Sequence, residues 1–162
     1  MTSNELAAHV ITMKYLHSML LTRMETYFQM MDVRLSKQTL SNWIVNSASE
    51  LECVYNCMKQ NLLKSSYAHA DETPVKVIDS KGKESKSKHY MWVYVSDKED
   101  SHLILYDYQK TRSSSCPIKF LEGFSGYLQT DGYSGYNKVE NVKRLYCLAH
   151  IRRKFFDIVT EL

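Results

Sequence analysis

YAHADETPVKVIDSKGKESKSKHYMWVYVSDKEDSHLILYDY, residues 67–108, decides the fold. Apolar, β-branched and aromatic residues recur with a strand-like period in "AHADETPVKVI", "HYMWVYVS" and "HLILYDY". The polar stretches "DSKGKESKSK" and "DKED" separate them as turns, so three successive strands in an antiparallel meander are expected. Pro74 cannot donate to a ladder and argues for an edge or a bulge at that point.

Working outward toward the C-terminus, "TRSSSCPIKFLEGF" offers a helix with a serine cap and Pro117 in its first turn. "GYLQTDGYSGY" reads as a strand ending at Asp131-Gly132, "VKRLYCLAH" as a fifth strand, and "IRRKFFDIVTEL" as the start of a helix. The order is β-β-β-α-β-(short α)-β-α, an α/β chain with a mixed sheet. Toward the N-terminus, residues 4–64 contain neither proline nor glycine, and leucine, methionine and aromatic residues recur there at three- and four-residue spacings. At least three helices are expected, with a turn at Asp32–Leu35. Ser36 is expected to cap one long helix whose stripe is Leu40, Trp43, Ile44, Ser47, Leu51, Val54, Tyr55, Met58 and Leu62. The expected division is an all-helical region, residues 1–65, followed by a sheet-containing core, residues 66–162.

Composition is that of an ordinary globular chain, with 44% hydrophobic and 24% charged residues in 162. The formal net charge of +3 names no partner, but six basic residues (Lys138, Lys143, Arg144, Arg152, Arg153, Lys154) face only Glu140 between positions 138 and 154. That asymmetry suits either a polyanionic partner or a solvated face. Cys53, Cys57, Cys116 and Cys147 have no framework spacing, and the start of the chain has neither a secretory core nor a membrane span, so a reduced, cytoplasmic protein is expected. Cys147 with His150 makes a C-x-x-H pair, half of a zinc site.

Asp71 and Glu72 stand side by side in the first strand. Asp71 shares its face with Thr73, Val75 and Val77, which makes that the expected core face. A buried carboxylate needs a cation or donors. Asp131 repeats the arrangement at the end of a later strand, so the two are expected to converge. They would hold hard divalent cations, or else cap turns. In the helical region, Lys37, Gln38, Ser41 and Asn42 lie at the start of a second helix-turn-helix element, where they would face DNA or plain solvent.

"HADET", "YMWVYVS", "LQTDGYSGY" and "CLAHIRRKF", in that order, resemble the core motifs of bacterial transposases of the insertion sequence sixty-six type, in the DDE superfamily. "ITMKYLHSMLLTR" and "LSKQTLSNWI" resemble the segment preceding that core. The resemblance implies a ribonuclease H-like core after a helical region, with Asp71 and Asp131 as catalytic aspartates binding two Mg²⁺ or Mn²⁺ ions. In the family's mechanism water, then a DNA 3′-hydroxyl, attacks phosphodiesters in line without a covalent enzyme intermediate. Lys143, Arg144, His150, Arg152, Arg153 and Lys154 would meet phosphates. Glu72, Thr73, Gly132, Tyr133 and Tyr136 would support the site. Implied partners are double-stranded DNA at element ends and targets, further copies of the chain, and other proteins encoded by the element, in the bacterial nucleoid.

The sequence departs from the family's pattern in having no glutamate well beyond "CLAHIRRKF", and Glu161 comes too soon after that motif. The family's N-terminal cysteine-rich zinc region and the proline usual near "SMLLTR" are also missing. An incomplete transposase, inactive alone, is therefore expected. The alternatives are a noncatalytic DNA-binding or oligomerising remnant and a free-standing ribonuclease H-like nuclease completed by Glu161.

Overall fold

The computed structural model describes residues 2–78, 83, 85, 87–98 and 101–160. Much of the lysine-studded turn expected at 79–88 and part of the 97–100 turn lie outside the described residues. The chain divides into two compact units, Met1–Tyr55 and Asn56–Leu162.

The first unit holds α1 (Asn4–Tyr15), α2 (Leu21–Gln29), α3 (Lys37–Glu50) and the first turn of α4 (Glu52–Leu63). Ser3 and Ser36 cap α1 and α3, accepting from the Leu6 amide at 3.3 Å and the Thr39 amide at 3.1 Å. Val10, Met13, Met24, Phe28 and Leu40 form its buried core, edged by Leu6, Met19, Leu21, Leu35, Trp43 and Ile44. One helix from Ser36 to residue 65 was the expectation, and the structure corrects it. The helix breaks at a turn at Leu51, the C-cap of α3 (φ −84°, ψ −1°), whose side chain is 53% exposed. The stripe therefore does not run through as one buried seam: Leu40 and Leu62 are buried, while Val54 is exposed.

The second unit is a five-stranded sheet of β1 (Tyr67–Val75), β2 (His89–Lys98), β3 (Ser101–Gln109), β4 (Gly126–Thr130) and β5 (Val142–Tyr146). The spatial order is β3-β2-β1-β4-β5, antiparallel among the first three strands and parallel from β1 to β4 to β5. That is the ribonuclease H arrangement. A helix α5 (Ser115–Phe120) and a 3-10 helix at Ser134–Lys138 join the later strands, and α6 (Leu148–Thr160) follows β5. The fifth strand is shorter than expected: it ends at Tyr146, and the "LAH" of the motif is already helix. Pro74 sits in a central strand, yet the β1–β4 ladder ends at His69↔Gln129, so β1 is locally an edge there.

The buried face of this sheet is the even-numbered set of β1, against expectation. Ala68 and Ala70 pair with Ser96 and Tyr94, which continue the core to Trp92, Leu105 and Leu128. The Tyr94 ring stacks on Phe120 of α5 at 3.7 Å, and Trp92 meets Tyr136 edge-on at 5.7 Å. Small alanines in the central strand leave room for these rings, which is why that face closes. The odd-numbered set, including Asp71 and Thr73, lies on the other face with Val93, Ile104, Tyr106 and Tyr127. Several of these, among them Ile104, Tyr106 and Tyr127, are exposed.

Candidate active site

Parallel strands that part company leave a crevice at their C-terminal ends. β1 and β4 are paired over Tyr67↔Tyr127, Ala68↔Leu128 and His69↔Gln129. Continuing that register by two residues brings Asp71 opposite Asp131 on the same face, since strand side chains alternate. Both line one cavity of about 180 Å³, together with His69, Gln129, Cys147 and His150.

Each carboxylate has one oxygen engaged by the backbone and one directed at a cationic or titratable partner. Asp71 Oδ1 accepts from the Glu72 amide at 2.9 Å, while Oδ2 lies 3.7 Å from His150 Nε2. Asp131 Oδ1 accepts from the Tyr133 amide at 2.9 Å, closing the turn after β4, while Oδ2 lies 3.7 Å from Arg112 Nη2. Their side chains are 49% and 20% exposed. The turn-capping role is thus real for one oxygen of Asp131, and it leaves the other oxygen of each pair member facing the cavity walls. Hard cations take carboxylate oxygens of this kind. The donor set fits a divalent ion in part: among the described residues no three His, Cys, Asp or Glu side chains converge on one point. Glu161 lies outside the described residues.

Glu72 is the carboxylate that the core buries, with its side chain 1% exposed. Arg112 Nε donates to Oε1 at 2.6 Å with Nη2 2.5 Å from the same oxygen, and the Tyr136 hydroxyl donates to Oε2 at 2.7 Å. Burial raises the Glu72 carboxyl above its ordinary value, and the bonds from Tyr136 and Arg112 offset only part of that rise. The Tyr136 hydroxyl is pushed far up, by burial first and then by the proton it gives to Glu72. Arg112 also packs over the Tyr133 ring at 4.2 Å, and Tyr133 donates its hydroxyl proton to the Arg112 carbonyl. The motifs pointed to Glu72, Tyr133 and Tyr136 but not to Arg112. A usable signal existed: Arg112 is the one arginine between positions 35 and 143, and a carboxylate on a core face requires a cation.

The basic residues separate by face. Arg144 pairs in register with Leu128 and turns to the covered side, where Nη2 bonds Thr130 Oγ1 at 2.6 Å and the Asp131 carbonyl at 2.8 Å, and Nη1 bonds Asn137. Its guanidinium braces the Asp131 turn and does not join the exposed strip. Lys143 lies on the opposite face, 5.6 Å over the Tyr127 ring. Arg152, Arg153 and Lys154 are exposed on α6. Thr73 is exposed, and Gly132 lies close under Lys154, whose Nζ would be 3.6 Å from a Cβ placed there. Cys147 stands just before α6, where the His150 amide and then its ring stabilise the thiolate and bring the thiol down to about 7. In the other unit, Lys37, Gln38 and Asn42 are exposed on α3, Ser41 is half-buried, and Gln38 donates to Asn42 at 2.9 Å.

No helix among the described residues is long and apolar enough to cross a membrane. Two proteins of Sinorhizobium fredii (strain NBRC 101917 / NGR234) are similar to the chain. One, "Uncharacterized protein y4qI", is 26% identical over 96% of this chain and 32% of its own length. The other, "Uncharacterized protein y4jD", is 27% identical over 98% of this chain and 34% of its own. The chain thus spans about a third of the length of the curated relatives it matches. Among solved structures, a chain of the simian T-cell lymphotropic virus intasome in complex with PP2A regulatory subunit B56 gamma aligns with a TM-score of 0.35 and 14% identity, over 52% of this chain and 33% of that one. The family profile described as "Transposase IS66 family" matches residues 1–162, and the chain belongs to that family.

Proposed function

We propose that the chain carries part of the catalytic core of a metal-dependent DNA transposase, with Asp71 and Asp131 as its acidic pair. The observation behind this reading is their common register on neighbouring parallel strands, facing one cavity. Mg²⁺ or Mn²⁺ held by these carboxylates would supply the Lewis acidity that in-line phosphodiester displacement requires. The chain's own residues orient and neutralise. Arg112 and the Tyr133 amide hold Asp131, His150 flanks Asp71, and Lys143, Arg152, Arg153 and Lys154 offer phosphate contacts. The helical region, residues 1–65, would add duplex contacts from Lys37, Gln38, Ser41 and Asn42 on α3. Further copies of the chain, other proteins of the element and the nucleoid complete the proposed setting.

Two carboxylates leave a second ion under-coordinated, so in this reading the chain alone binds metal weakly and cleaves poorly. The same shortage among the described residues favours, as the second reading, a DNA-binding remnant without chemistry. Calorimetric titration with Mn²⁺ separates the two. Weak, saturable binding that is lost in both Asp71→Asn and Asp131→Asn supports the catalytic reading. Binding that survives the double substitution, or none in the parent chain, leaves the remnant.

A further inference from the structure

A second cavity adjoins the carboxylate pair, and its chemistry is of the opposite sign. It measures about 320 Å³ and is walled by Arg112, Gly132, Tyr133, Arg153 and Lys154, with Asp131 and Asp157 as the acidic members. Asp131 and His150 line both cavities.

Arg112 differs from the lysine and arginines of α6 in being held in place. Its Nε and Nη2 are clamped on the buried Glu72 carboxylate, and its plane rests on the Tyr133 ring. The side chain nevertheless stays 42% exposed. Among the described residues no bond engages Nη1, so one edge of a fixed guanidinium keeps its donors for something else. Guanidinium forks match phosphate geometry, and a pre-oriented one loses less entropy on binding than a free side chain. Lys154 Nζ stands over Gly132, 3.6 Å from where a Cβ would lie.

We propose that this pocket is a phosphate subsite, in which Arg112, Arg153 and Lys154 seat one phosphate group of a polyanion beside Asp131. The proposal rests on the functional reading above, because it takes the polyanion to be DNA; without any metal the pocket already sets Arg112, Arg153 and Lys154 against Asp131 and Asp157. A cavity of this size lies at the small end of ligand pockets, matching a phosphodiester unit rather than a whole base pair.

The test uses the ¹⁵N-labelled chain in EDTA, titrated with inorganic pyrophosphate. Gly132 and Tyr133 amides and the Arg112 Nε signal are expected to shift and saturate. Lys154→Gln, and Arg112→Gln combined with Glu72→Gln so that no buried carboxylate is left uncompensated, should each weaken that titration about fivefold or more. In parallel, duplex DNA binding by anisotropy should lose about one unit of salt slope in each variant. Absence of saturable shifts at Gly132 and Tyr133 overturns the subsite whatever the duplex does. A duplex slope unchanged in both variants also overturns it and leaves DNA binding itself standing. Pyrophosphate shifts without any duplex binding uphold the subsite while removing the DNA reading.

Discussion

Substituting Arg112 by alanine should destabilise the second unit well beyond what a surface arginine would cost. The change leaves the Glu72 carboxylate, 1% exposed, with Tyr136 as its remaining hydrogen-bond donor. Breaking a buried ion pair from one side costs about 3–5 kcal/mol. Arg112 is itself 42% exposed, so water reaches the vacated position and the expected loss falls to about 2–3 kcal/mol. Removing the charge from the other partner restores most of it: Arg112→Ala with Glu72→Gln should recover about half or more, because a neutral amide tolerates burial and still accepts from Tyr136. Urea unfolding reads this cleanly in a Trp43→Phe background, in which fluorescence comes from Trp92, packed against Tyr136. A loss under about 0.5 kcal/mol, or a double variant no better than the single one, would falsify the claim that Arg112 compensates Glu72.

Three further outcomes are expected. Because the Glu72 carboxyl is raised by burial, the folded chain holds that proton more tightly than the unfolded one; stability should therefore fall as pH rises from the ordinary carboxylate value through the raised one, and Glu72→Gln should flatten this dependence in pH-resolved denaturation. Cys147 should react with iodoacetamide with a rate midpoint near pH 7, as site-resolved mass spectrometry would show; a midpoint at the ordinary thiol value of about 8.5 would refute the role given to the α6 amides and His150. Gly126→Ala should cost about 2 kcal/mol or more, since the residue has φ +149° and a Cβ there overlaps the Ser66 carbonyl; thermal melts unchanged by the substitution would contradict that geometry.

Much of the core was legible because its strands alternate cleanly and its turns are polar: the meander, the fourth and fifth strands and the Ser36 cap follow from local pattern alone. Which face of β1 is buried was not. Valines 75 and 77 drew the eye to the odd set, but they fall beyond the β4 ladder, and the core is made by Ala68 and Ala70 under the Tyr94 and Phe120 rings. Small residues carry no hydrophobic signal until the large groups they accommodate are known. The same parity hid Arg144, which reads as part of a basic strip and turns instead to the covered side. Arg112 escaped because its partner is 40 residues away and no motif joins them. The helix break at Leu51 has no glycine or proline to announce it. The common position of Asp71 and Asp131 was within reach, since one lies within an apolar strand and the other directly after one, though for Asp71 the side of the sheet was misassigned.

The three-pair ladder between β1 and β4 carries one more implication. Its start is tied by the Tyr127 amide to the Ser66 carbonyl at 2.9 Å, at the point where Gly126 lets the two backbones touch. Asp131 follows Gly126 by five positions, an odd number, so the knot sets the parity of the second carboxylate. Inserting or deleting a single residue between Gly126 and Asp131 would leave a strand of similar composition, yet turn Asp131 inward toward Tyr136 and Trp92 and present Thr130 or Gly132 to the crevice. A two-residue change would restore the side but shift the carboxylate by about 7 Å along the strand. Of the segments in this sheet, β4 therefore has the least freedom to vary in length, and natural length variation is expected instead before Ser66 and in the connection after β1.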